Sequence, residues 1–137
     1  MSNINSKSIY NIAYTFHLAA QRCEEQRPLQ NGKFEMLICP AIVNYAFACE
    51  LYIKYLLQIN GVEQCRKHKL TDLFDLLPET SQQEIRTKMN SANFNQELNS
   101  ISNAFVDWRY IYEKNDAFLH IDFLRRFCVA LKEFIEQ

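Results

Sequence analysis

From Ala41 to Ile59 nearly every residue is apolar, and this stretch does most to decide what the chain can fold into. A helix greasy on all sides must be enclosed by neighbouring elements or by a partner chain. Asn44, Glu50, Lys54 and Gln58 interrupt the run, well short of the ~20 apolar residues a bilayer span requires. No membrane is implied. Glu50, Lys54 and Gln58 follow one another at i, i+4, so they draw one polar line along an apolar cylinder. Asn60-Gly61 supplies the left-handed residue with which such a helix ends.

The flanking segments carry the same period. Ile9, Ile12, Ala13, Phe16, Ala20 and Cys23 recur at three- and four-residue spacing and predict a first helix from about Asn5 to Glu25. Arg27-Pro28-Leu29-Gln30-Asn31-Gly32 reads as a turn. A second helix begins between Lys33 and Pro40, with Pro40 in its first turn or at a kink. Leu70, Leu73, Phe74 and Leu77 form a short helix stopped by Pro78. Ser81-Gln82-Gln83-Glu84 fits a capping box that opens a minor helix running to about Met89. Phe94, Leu98, Ile101, Phe105, Trp108 and Tyr112 are spaced by alternating fours and threes, a heptad-like seam on a long helix from Asn93 to Glu113. The chain closes on an amphipathic helix with Ala117, Leu124, Phe127, Cys128, Leu131, Phe134 and Ile135 on one face and Asp122, Arg125, Arg126, Lys132, Glu133 and Glu136 on another.

Composition agrees with that pattern. At 137 residues and 48% hydrophobic, one domain spanning 1–137 with a single core is expected. Two glycines and three prolines are too few for a sandwich or barrel. The fold class is therefore all-α: an up-and-down bundle of four to five main helices with one or two short extra ones. Fifteen Lys and Arg against sixteen Asp and Glu give a formal charge of -1, so any nucleic-acid contact has to come from a local patch. The five cysteines are odd in number and scattered, with several inside apolar helical patterns, as reduced core thiols are. With a polar Met1–Ser8 that lacks the apolar stretch of a signal peptide, this points to the cytoplasm.

Four stretches then stand together: Ala48-Cys49-Glu50-Leu51-Tyr52-Ile53-Lys54-Tyr55-Leu56-Leu57, His68-Lys69-Leu70-Thr71-Asp72-Leu73-Phe74, Phe105-Val106-Asp107-Trp108-Arg109-Tyr110-Ile111-Tyr112-Glu113, and the closing helix. In this order and spacing the chain resembles the HEPN (higher eukaryotes and prokaryotes nucleotide-binding) family from Ala41 to its end, and the first helix fits as well. The resemblance implies a helical bundle that commonly dimerises, found in toxin-antitoxin modules, phage defence and RNA processing, with a nucleotidyltransferase-like or defence-protein partner. Many members are metal-independent ribonucleases whose signature is an arginine followed after four to six residues by a histidine. The histidine acts as base or acid on the RNA 2′-hydroxyl and leaving oxygen, and the arginine stabilises charge on the phosphate. Counting from Arg109 places Lys114, Asn115 and Asp116 where that histidine should stand, and none of these replaces imidazole near neutral pH.

The candidate residues follow from the same positions. Arg109 pairs with Glu113 one turn on, or joins Glu50, Lys54 and Glu113 in an interhelical network, a Glu50–Arg109 or Lys54–Glu113 bridge satisfying charges beside an apolar seam. An imidazole can come from His120, placed opposite Arg109 across the last helical hairpin, or from His68. His120 otherwise reads as a hydrogen-bonded core residue, and His68 as the cap of the helix beginning near Leu70. Arg66, Lys67 and His68 form the most basic spot and a phosphate or partner contact. His17, beside the first helix's stripe, is assigned to packing, and Tyr45, Tyr52 and Tyr55 to the core or a dimer interface. No metal motif, glycine-rich phosphate loop or cofactor signature is present. The leading expectation is a HEPN-like interaction and dimerisation module associated with RNA and lacking the usual ribonuclease site. The alternatives are a metal-independent ribonuclease using Arg109 with a non-standard acid or base, and a nucleotide sensor.

Overall fold

The computed structural model describes residues 6–62, 65–106 and 117–137. The chain is all-α: α1 (Ser6–Cys23), a two-residue antiparallel ladder of β1 (Arg27–Pro28) and β2 (Phe34–Glu35), α2 (Ile38–Ile59), α3 (Leu70–Asp75), α4 (Glu79–Met89), α5 (Phe94–Val106) and α6 (Ala117–Ile135). No described helix is long and apolar enough to cross a membrane.

α2 is the axis of the bundle. It packs most extensively against α1, then against α6, with α3 beside it; α4 leans on α6, and α5 on α3. Tyr45, Ala48, Cys49, Tyr52, Ile53 and Leu57 are fully buried, and enclosing an all-round apolar helix is what the hydrophobic effect requires of its neighbours. Pro40 sits in the first turn, where its missing N–H would have had no intrahelical partner. The helix ends in a Schellman turn. Gly61 adopts φ +90°, its N–H donates to Gln58 O at 3.1 Å, and the Val62 N–H donates to Leu57 O at 2.8 Å.

Three sequence expectations are corrected in detail. The stretch after α1 is a small hairpin, not only a turn: Leu29 and Lys33 close it around Gly32, and the Leu37 N–H donates to Cys23 O at its base. The buried line of α1 is rotated from the expected stripe, because Ile12 is 49% exposed while Ala13, His17 and Ala20 are buried. Alanines bring the α1 backbone close to its neighbour, and the polar cost of His17 is met by a buried partner described below. α4 begins two residues before Ser81, which therefore lies inside the helix; Pro78 occupies the cap position without a side-chain bond. Asn90 ends α4 in the left-handed conformation at φ 48°.

The second half of the core is aromatic. Phe94 has Phe74, Phe127 and Phe123 at ring-centroid distances of 5.2, 5.6 and 5.7 Å, in tilted and edge-on arrangements that suit the ring quadrupoles. Arg86 lays its guanidinium over Phe74 and Phe94 at 5.3 and 5.6 Å, covering the cluster from α4. Of the predicted seam, Phe94, Leu98 and Ile101 are buried; Trp108 and Tyr112 lie outside the described residues. On α6 the expected apolar face is buried at Leu124, Phe127, Cys128 and Leu131, and Phe123 and Ala130 widen it.

All described cysteines are free thiols. Cys49 and Cys128 are fully buried with their sulfurs 3.3 Å apart, and Cys128 Sγ donates to Tyr45 O at 3.3 Å. Burial pushes the Cys128 thiol well above its ordinary range, with Cys49 adding to the effect. It stays protonated and bonded to backbone, as an inert core thiol does.

Candidate functional site

Glu50 is the most deeply buried carboxylate among the described residues, 4% exposed on the otherwise apolar α2. A carboxylate withdrawn from water needs partners, and it has two. Lys54, one turn further along the helix, places Nζ 2.9 Å from Glu50 Oε2. Glu preceding Lys at i, i+4 is the favourable orientation with respect to the helix dipole. The second partner comes from another segment: His68 Nδ1 lies 3.0 Å from the same oxygen. Lys54 Nζ is 3.4 Å from His68 Nδ1, so the three groups converge on one point.

His68 does not cap α3. Lys69 occupies the cap position, with no side-chain hydrogen bond, and the imidazole turns back across the α2–α3 connection to Glu50 instead. A carboxylate only accepts, so the contact is a hydrogen bond from Nδ1–H to Glu50 Oε2. The His68 side chain is 74% exposed. Thus one end of the imidazole is held by a buried anion and the other faces solvent. Arg66, Lys67 and Lys69 flank it in sequence, and no ion pair engages them among the described residues.

Of the expected polar network, Glu50 and Lys54 are therefore joined, with His68 as an unforeseen third member; Arg109 and Glu113 lie outside the described residues. His120 is buried on α6 and lines a different cleft of about 360 Å³ with Glu97, Ser100, Asp122 and Arg126. Asp122 is already paired with Arg125 and Arg126 at 3.2 and 3.1 Å. Among the described residues, no group of three or more His, Cys, Asp or Glu side chains is arranged to hold a metal ion.

Two further polar clusters, neither anticipated as such, fasten α2. Glu24, just past α1, accepts hydrogen bonds from the Tyr45 hydroxyl and, at 3.0 Å, from Arg125 Nε. Burial alone would raise the Glu24 carboxyl, but the bonds from Arg125 and Tyr45 outweigh it and hold the group below its ordinary range. Burial, reinforced by Glu24, moves the Tyr45 phenol upward. A glutamate after a helix and a tyrosine within one gave no spacing signal that could have paired them.

His17, assigned to packing, is indeed buried, and its Nδ1 lies 3.0 Å from the Tyr52 hydroxyl; Nε2 has no hydrogen-bond partner. Burial, and secondarily the Lys132 charge, hold its imidazole below the ordinary 6.5. The unfolded chain binds a proton near that value which the folded chain refuses. Stability contributed by a neutral His17 is therefore complete above pH 6.5 and is lost as the pH falls toward the folded value. Urea unfolding at pH 7.5 and pH 5.0 should show the wild type weaker at the lower pH. His17→Asn, which cannot titrate there, should flatten the difference; an unchanged slope would assign it to other groups.

No family model matches the chain, nor does any curated protein or solved structure.

Proposed function

We propose that this chain is a HEPN-like helical module that dimerises and acts beside RNA in the cytoplasm, in a prokaryotic toxin-antitoxin or defence setting, with a nucleotidyltransferase-like or defence-protein partner and without the usual ribonuclease signature. The reading is supported by the order of its helices and motifs. Above all it is carried by the local basic spot: Arg66, Lys67 and Lys69 stand beside the Glu50–Lys54–His68 cluster without ion-pair partners among the described residues, on a protein whose formal charge is -1. Cations left unpaired around a rigid polar anchor are what a phosphate backbone needs for positioning.

Fluorescence anisotropy with a labelled, unstructured RNA tests it. Replacing Arg66, Lys67 and Lys69 together by Glu should weaken binding at least tenfold and leave the melting temperature unchanged. Each phosphate contact on a single strand contributes about -0.7 to the slope of log K against log salt, so losing three should flatten that slope by about 2. Light scattering should give a dimer. A strict monomer that binds no RNA would defeat the reading.

A further inference from the structure

We propose that the cleft between α3, α4 and α5 binds a zwitterionic small molecule of amino-acid size, its ammonium on the Asp72 and Asp75 carboxylates and its carboxylate on Arg86 and Lys69. The cleft holds about 440 Å³ and is floored by the buried Phe74 and Leu98; small-molecule sites usually fall in the range of roughly 300–1,000 Å³. Asp72 and Asp75 stand three residues apart on α3 and so share one face. Arg86 enters from α4, and Lys69 from the residue before α3. Charges of both signs therefore line one concave surface, yet among the described residues no ion pair engages any of the four. Opposite charges at close quarters attract. Here the fold holds them apart, and a ligand that bridges them gains both interactions without breaking an existing one.

Arg86 is the most firmly placed of these groups. Its guanidinium lies over the Phe74 and Phe94 rings, and Nη2 donates to Asn95 Oδ1 at 3.0 Å. Its Nε is buried and has no hydrogen-bond partner. The side chain is thus fixed in advance while donors of its fork stay unused, which suits a carboxylate. Charge narrows the ligand further. A phosphate or other plain anion meets two aspartates, and a plain cation meets a guanidinium and an ammonium. A metal ion would find two carboxylates only, and no group of three or more His, Cys, Asp or Glu side chains converges among the described residues. A molecule carrying both signs satisfies both sets. Asn99, exposed on α5, adds a carboxamide able to donate to one end and accept from the other. The inference goes beyond RNA association and does not depend on it, because the aspartates make this cleft unfavourable to a phosphate chain; Lys69 alone is shared with the basic spot.

The test titrates the full chain with each of the common amino acids in turn, by calorimetry and thermal shift, with putrescine and succinate as probes of one sign only. At least one amino acid should bind one-to-one with a submillimolar Kd. Its N-acetyl and its amide derivatives, each stripped of one charge, should bind about tenfold or more weakly, the scale of one charge-assisted hydrogen bond. Asp72→Asn and Asp75→Asn, both at exposed positions, should each weaken binding by a similar factor and leave the melting temperature unchanged. Arg86→Gln should abolish binding. Because Arg86 also covers Phe74 and Phe94, its melting curve is checked, and the two aspartate variants decide the matter if it does not fold. Binding of no amino acid, by either readout, would overturn the site. So would putrescine or succinate binding as tightly as the best amino acid, or full affinity in both aspartate variants.

Discussion

Phe127→Ala should destabilise the fold by about 3–5 kcal/mol, the range for deleting a buried phenyl ring and leaving its cavity. Phe127 is fully buried where rings from α3, α5 and α6 meet, 5.6 Å from both Phe94 and Phe123 and 6.1 Å from Phe74. Its rigid neighbours cannot collapse into the space without giving up their own contacts. In urea the midpoint should fall sharply, and the melting temperature should drop by on the order of 10 °C or more. Val129, two residues along and 40% exposed, is the internal control; Val129→Ala should stay within about 0.5 kcal/mol. A Phe127→Ala protein as stable as the control would mean that the α5–α6 half of the core does not share in cooperative unfolding.

Glu24→Ala should be the next most damaging change, at about 1.5–3 kcal/mol, because it removes the acceptor of charge-assisted bonds and leaves the Tyr45 hydroxyl without it. Arg125 is 39% exposed, so solvent screens its share and the lower half of that range is expected. The effect carries a pH signature. The folded carboxyl titrates below its ordinary 4.5 despite burial, because the bonds from Arg125 and Tyr45 prevail. The network's contribution is therefore complete above pH 4.5 and is lost as the pH falls toward the folded value. The gap between wild type and Glu24→Ala, followed by chemical denaturation from pH 7 to pH 3.5, should hold steady and then narrow below 4.5. A gap constant throughout would show that the carboxylate charge has no part in the linkage of α1 to α6.

The helices were legible because their information is local. The apolar run of α2, its glycine cap and the spacing of Phe94, Leu98 and Ile101 at the start of α5 are each contained in one stretch of chain, and these have their counterparts in the fold. The α1 stripe was misjudged because hydropathy alone favours Ile12 over His17; what reversed them was the Tyr52 hydroxyl, 35 positions away. The site was half legible for the same reason. Glu50 and Lys54 announce themselves by i, i+4 spacing on one helix, but the attachment of His68 depends on how the α2–α3 connection folds back. A histidine two residues before a helix reads as a cap, and only tertiary structure shows that a nearby buried carboxylate has the stronger claim. Arg109, the arginine half of the signature that the resemblance implies, lies outside the described residues.

The polar contacts along α2 have a geometric consequence. A cylinder apolar on every side gains almost nothing from hydrophobicity in choosing one angle over another, and could settle at many rotational settings of similar free energy. Sliding by a single residue turns it about 100° and advances it about 1.5 Å. Tyr45, Tyr52 and Glu50 each meet a counterpart on a different part of the chain: Glu24, His17 and His68. Any such slip would break all three at once and strand their polar atoms in hydrocarbon. These residues work as the teeth of a key, indexing a shaft that is otherwise free to turn, and they give the bundle one setting where grease alone would allow several.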